Sequence, residues 1–112
     1  MTPDTLRVLK VSFRRVRHGQ LEPLRAWMNT LMERQHEIRQ TFDQEGVRHE
    51  CAYLTQDREG YVLVYVAELE DEAAARAAYA RSTLPIDVEH HQVMAEVIVG
   101  PAEAELLYDV QR

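Results

Sequence analysis

An intrachain disulfide is ruled out at once, because the 112 residues hold a single cysteine, Cys51, and that thrift suits a reducing, cytoplasmic setting. Positive charge is also scarce. Thirteen Lys and Arg stand against nineteen Asp and Glu, a formal net charge of −6. That balance argues against a nucleic-acid partner, which needs a basic face. The one basic run, Arg14-Arg15-Val16-Arg17-His18, ends a strand-like segment and reads as a solvated loop, with a small anion site as the alternative. No apolar run approaches the roughly 18 residues of a membrane span. The opening MTPDTLRVLK lacks a basic region followed by an apolar one, so it does not read as a secretion signal. Glycine-rich phosphate loops, serine elbows, CxxC and HExxH are all missing, and with them the chemistries that those motifs carry. There is no repeat, low-complexity tract or linker, and the length suits one domain, 1–112.

What is present is a pattern of elements. In TLRVLKVSF (5–13), Leu9, Val11 and Phe13 alternate with Lys10 and Ser12, which predicts a strand. From about Glu22 to Glu45 the apolar residues Leu24, Met28, Leu31, Ile38 and Phe42 form one helical stripe, with Pro23 suited to the first turn and Gly46 to the C-cap. This predicts one long helix with Gln35 in the middle of its stripe and Trp27 and Arg34 on its flank. VRHECAYLT (47–55) and YVLVYVAEL (61–69) predict a hairpin closed by the five residues QDREG. EDEAAARAAYARS predicts a helix with Glu70 or Asp71 at its negative N-terminus. In STLPIDVEHH (82–91), Pro85 turns Leu84 away from helix, and Asp87 suits the cap of a short helix running to Gly100-Pro101. Residues 102–110 alternate Ala104, Leu106, Tyr108 and Val110 with acids, which predicts the last strand.

The order is β-α-β-β-α-(α)-β, so the expected fold is α+β and ferredoxin-like: a four-stranded antiparallel sheet with helices on one face. Leu9, Val11, Phe13, Val62, Val64, Val66, Leu106 and Tyr108 are expected to face the helices. Val8, Lys10, Ser12, Tyr61, Leu63, Tyr65 and Leu107 then fall on the far face, and the parity of 47–55 stays open between His49, Cys51, Tyr53 and Arg48, Glu50, Leu54. Either way the far face is apolar and aromatic. That predicts a homodimer built through the sheets.

The chain resembles the dimeric α/β-barrel superfamily of ferredoxin-like proteins, and more narrowly a family of small bacterial proteins of unknown function. The likeness lies in Trp27-Met28, Arg34 with Glu37, Glu45-Gly46-Val47, Glu50, Tyr65, and Ser82 through Pro85-Ile86-Asp87 to His90. It implies no assigned reaction, since the superfamily spans cofactor-free monooxygenases, haem proteins, mutarotases and lyases.

The candidate site is read from residue types. On a helix His90 and His91 diverge by about 100°, so one points inward, where a histidine near Asp87 can act as an acid or base. Glu50, in a strand otherwise rich in apolar residues, would have a raised pKa if buried. The expected roles are His90 as general acid/base oriented by Asp87, Glu50 as a second proton-transfer group, Arg34 holding an anionic group, and Tyr65, Trp27 and Gln35 lining a pocket. A core histidine bonded to a strand carbonyl is the plainer alternative. Asp87 with His90 or His91, and Glu50 or Glu37, has a spacing compatible with a metal, but the spacing is common, and neither a metal nor an organic cofactor is expected. The function expected is a small cytoplasmic dimer acting on a small organic molecule as a cofactor-free isomerase or monooxygenase-like enzyme. The alternatives are a ligand-binding dimer without catalysis and a structural domain without a pocket. No nucleic-acid or membrane partner is expected.

Overall fold

Alternation at period two becomes the strand β1 (Val8–Val16) in a computed structural model that describes residues 7–112; Thr5 and Leu6, which the alternation also takes in, and the rest of the N-terminal stretch lie outside the described residues. After β1 come α1 (Leu21–Glu33), α2 (Gln35–Glu45), β2 (Val47–Asp57), β3 (Gly60–Leu69), α3 (Glu72–Arg81), α4 (Pro85–Val97) and β4 (Ile98–Pro101). The sheet order is β2-β3-β1-β4 and every neighbouring pair is antiparallel. The helices cover one face, so the fold is α+β with the ferredoxin-like arrangement.

Several boundaries differ from expectation, each for a local reason. The long helix is two. Arg34 leaves helical geometry at φ −117°, ψ 36°, and its N–H reaches back to the Leu31 carbonyl at 2.9 Å. The Gln35 side chain donates to the Met32 carbonyl at 3.2 Å, satisfying a group that the break frees. The break turns α2, so Gln35 is exposed rather than central to the stripe. Gly46 does close α2, in the left-handed region at φ 71°. The hairpin is tighter than QDREG suggests: Asp57 pairs with Gly60, and Asp57 Oδ1 accepts from the Glu59 and Gly60 N–H groups at 2.9 and 3.2 Å. Asp71 caps α3, accepting from the Ala74 N–H at 2.8 Å.

α4 begins at Pro85 with Leu84 extended before it, so Asp87 lies inside the first turn instead of capping it. Its far end stops at Val97. There the Arg17 backbone N–H donates to the Val97 carbonyl, and the Arg17 guanidinium donates to the carbonyls of Glu96 and Ile98. With these end groups satisfied, the β-branched pair Ile98-Val99 opens β4. The last strand is therefore Ile98–Pro101, not 102–110. The Ala102 N–H still donates to Phe13 at 2.9 Å, but no element follows.

The face assignment is inverted. One core cluster joins Val16, Leu24, Leu63 and Val97 with Met28, Leu54, Tyr61, Tyr65, Val93 and Met94, and a second joins Ala67, Leu69 and Ala75 with Val8 and Val47. Tyr61, Leu63, Tyr65, Ala67 and Leu69 therefore face the helices. Leu9, Val11 and Tyr53 on the far face are 66%, 44% and 61% exposed. Strands apolar at both parities carry no sign in sequence, and the small Ala67 and Ala75, which let α3 approach closely, help to decide it. The irregularity between Val47 and His49 settles β2: Glu50, Ala52 and Leu54 stand opposite Ala67, Tyr65 and Leu63, on the helix-covered face.

Candidate functional site

Above that covered face the side chains of α1, α4 and β3 meet at His90. Trp27, buried in α1, donates its indole N–H to His90 Nδ1 at 2.7 Å. Nδ1 is therefore an acceptor, and the neutral ring carries its proton on Nε2. Nε2 in turn lies 3.3 Å from the Tyr65 hydroxyl oxygen and donates to it. Burial pushes His90 down to about 4, which holds the ring neutral at ordinary pH. Tyr65 accepts from His90, so its own O–H is left to donate outward. Burial, with the nearby charge of Glu50, pushes the Tyr65 hydroxyl up and keeps it protonated.

Tyr79 of α3 closes the other side. Its ring meets His90 edge-on at 6.1 Å and stacks on His91 at 4.1 Å, and His91 Nε2 donates to the Tyr79 carbonyl at 3.2 Å. Of the two adjacent histidines, His90 points inward and His91 outward.

Glu50 reaches this space from β2. It keeps solvent contact, yet protein crowds it closely enough that desolvation, with the charge of Glu45, pushes its carboxyl up to about 7. Both facts fit one geometry, a carboxyl on the wall of an open cleft. No described residue hydrogen-bonds it. Along the same face of β2, roughly 7 Å away at the strand repeat, Ala52 opens on a groove of about 440 Å³ that Leu24, Met28, Asn29, Leu54 and Leu63 also line. Arg25 and Tyr53 complete the lining of that groove; Glu50 lies two residues from Ala52 along β2 and is not part of it.

Asp87 is 4% exposed and binds elsewhere than expected. Its Oδ2 accepts from Thr41 Oγ1 and Ser82 Oγ, both at 2.5 Å, and makes no hydrogen bond to His90. Thr41 Oγ1 is also 3.0 Å from Glu45 Oε2. One hydroxyl has one proton, so both contacts are hydrogen bonds only when a carboxyl brings a second. Desolvation, reinforced by the charge of Asp87, does push Glu45 up to about 6.

Arg34 is also engaged away from Glu50. Its guanidinium makes a fork to Glu37 and a further bond to Glu89, all at 2.7 Å, tying the α1–α2 break to α4. Hydrogen bonding to Arg34 holds both carboxyls below their usual range. Of the basic run, Arg15 pairs with Asp57 and Glu59, and Arg17 binds carbonyls.

The structure thus brings Trp27, Glu50, Tyr65 and His90 together, places Asp87 behind them, and leaves Arg34 and Gln35 outside. Sequence reading passed over Tyr79 and Thr41. Tyr79 is the one aromatic side chain in an alanine run, a signal that was available; Thr41 carries no comparable mark. Among the described residues no cluster of three or more His, Cys, Asp or Glu could hold a metal, and no helix is long and apolar enough to cross a membrane.

The chain belongs to the DUF6176 family, a family of unknown function whose model matches residues 8–112. A crystal structure of a conserved protein from Methanosarcina mazei Go1 matches with a TM-score of 0.58 over 90% of each chain at 20% identity, a likeness of fold. No curated protein matches the sequence.

Proposed function

We propose that this member of a family of unknown function binds a small organic molecule with an apolar body and a carbonyl-bearing head, and moves a proton on it. The observation that carries this reading is the Glu50 carboxyl, which has no hydrogen-bond partner among the described residues and stands near the Tyr65 hydroxyl. The apolar body lies in the groove over Ala52, Leu54 and Leu63. Glu50 takes a proton from the carbon next to the carbonyl. The electron pair moves onto the carbonyl oxygen, which receives the Tyr65 O–H hydrogen bond. In a substrate whose C=C bond is conjugated to that enolate, Glu50 returns the proton at the far carbon of the C=C, so that the double bond shifts, the carbonyl reforms and the isomerisation is complete. A carboxyl near pH 7 is suited to both halves of that exchange. His90 is a positioning residue here: it holds Tyr65 as a donor, and Trp27 sets its tautomer. No tightly bound organic cofactor is needed, and the protein works as a cytoplasmic homodimer joined through its sheets.

A second reading is binding without turnover, favoured by the way Trp27 and Tyr65 occupy both nitrogens of His90. One experiment separates the two. A panel of small ketones and keto acids is screened by NMR for shifts at Tyr65 and His90, and any that binds is followed for exchange of its acidic C–H with D₂O. The enzyme reading expects exchange that Glu50→Gln slows by about 10²-fold or more, with binding retained. Binding with no exchange in the wild type supports the second reading. A panel that leaves Tyr65 and His90 unshifted counts against both.

A further inference from the structure

We propose that residues 102–112 form an arm that docks on a second copy of this chain, against the apolar sheet face that the helices leave open. The arm has the period-two pattern of a strand, yet the chain folds around it without using it. Leu106, Leu107, Tyr108 and Val110 are 77%, 83%, 81% and 74% exposed. The alternating Glu103, Glu105 and Asp109 would stay in water while Leu106, Tyr108 and Val110 lie on an apolar surface.

Such a surface is present on the same chain. Leu9, Val11 and Tyr53 are exposed on the far face, with Phe13, Cys51, Val64 and Val66 half-buried between them. Two copies each offering an arm and a face make a self-complementary contact that closes on itself, as a two-fold dimer requires. The arm also leaves a sheet edge open. β1 pairs with β4 only over Arg14–Val16, and beyond the Ala102–Phe13 bond no strand among the described residues lies along Val8–Ser12 on that side.

The area is of the right size. The chain exposes 8240 Å², whereas a monomer of 13.0 kDa is expected to expose about 6,300 Å². Residues 1–6, by their mass alone, account for at most about 1,000 Å² of the difference. About 900 Å² of surplus remains on the described chain, close to the roughly 800 Å² that one partner buries in a stable interface of standard size.

The test is sedimentation velocity on the full chain and on a chain ending at Ala102, with the rate of Cys51 modification by a soluble maleimide followed in both. The arm holds no secondary structure, so the shortened chain should keep its circular dichroism. The full chain is expected to sediment as a dimer. Loss of the arm should weaken association by at least ~30-fold and speed Cys51 modification. A full chain that is monomeric up to ~100 μM would overturn the proposal, and if its Cys51 is still protected the arm covers its own sheet. A shortened chain that dimerises as tightly, or a dimer in which Cys51 reacts as fast as in the shortened chain, would overturn it as well.

Discussion

At the scale of single residues, the candidate site rests on an asymmetry between its two proton carriers. His90 has both ring nitrogens engaged and is pushed down to about 4, so it is a fixed neutral group. Glu50 has no hydrogen-bond partner among the described residues and is pushed up to about 7. A carboxyl whose folded pKa lies above its ordinary 4.5 stabilises the fold fully below that value, and the benefit is lost as pH rises through 7. Glu50→Gln should therefore leave stability unchanged at pH 4.5 or below and raise it at pH 8. The gain should be about 1 kcal/mol, smaller than the raw shift implies because water screens this accessible group. Thermal melts of both proteins at the two pH values check this, and equal differences would show that Glu50 is not tuned by the fold. His90 acts in the opposite sense, withdrawing stability as pH falls from 6.5 through 4. The two shifts overlap in the wild type, so the variant comparison is what isolates Glu50. Glu50 was legible in the sequence as a carboxyl out of place in its strand. Its freedom from Arg34 was not, because Arg34 had nearer carboxyls in Glu37 and Glu89.

At the scale of elements, Asp87 holds three segments together. Its carboxylate joins Thr41 of α2, Ser82 in the α3–α4 loop, and the first turn of α4 that carries it toward His90. Asp87→Ala would remove the buried acceptor that both hydroxyls share, leaving Thr41 only Glu45 and Ser82 only a longer 3.4 Å contact to Gln44, at a cost of about 1–3 kcal/mol. Urea denaturation measures this, and a loss below about 1 kcal/mol would mean that water replaces the carboxylate. The Pro-Ile-Asp element was visible in sequence as a corner with a capping acid. One boundary moved it: Pro85 takes the first helical position, so the same carboxylate turns inward to the hydroxyls. The split at Arg34 was hidden because Leu31 and Ile38 are seven residues apart, a spacing that an unbroken helix would also satisfy, and no Gly or Pro marks the break.

At the scale of the whole molecule, a sheet with one covered face leaves a second apolar one. Leu9 is 66% exposed in the single chain. If that face stays in water, Leu9→Lys should change stability by no more than ~0.5 kcal/mol. If two copies pack there, the same change should destabilise by about 1–3 kcal/mol, since it places a charge against apolar surface. Denaturation at a fixed, dimer-favouring concentration distinguishes them. The open face was foreseen from strands apolar at both parities, but with its residues exchanged: the set headed by Leu9 and Val11, expected beneath the helices, is the uncovered one.

The chain's own pattern was enough for the fold class, the first three strands, the cap at Gly46, the acidic start of α3, and the clustering of unusual polar residues around 82–91. These follow from local rules of backbone geometry and from periodicity, which act over a few residues at a time. Packing decided the rest: which parity of β3 the helices cover, where α4 yields to β4, and which acid each hydroxyl and guanidinium finds. The choice between Glu37, Glu89 and Glu50 for Arg34, or between His90 and Thr41 for Asp87, depends on distances across elements far apart in sequence, and those exist only once the chain has folded.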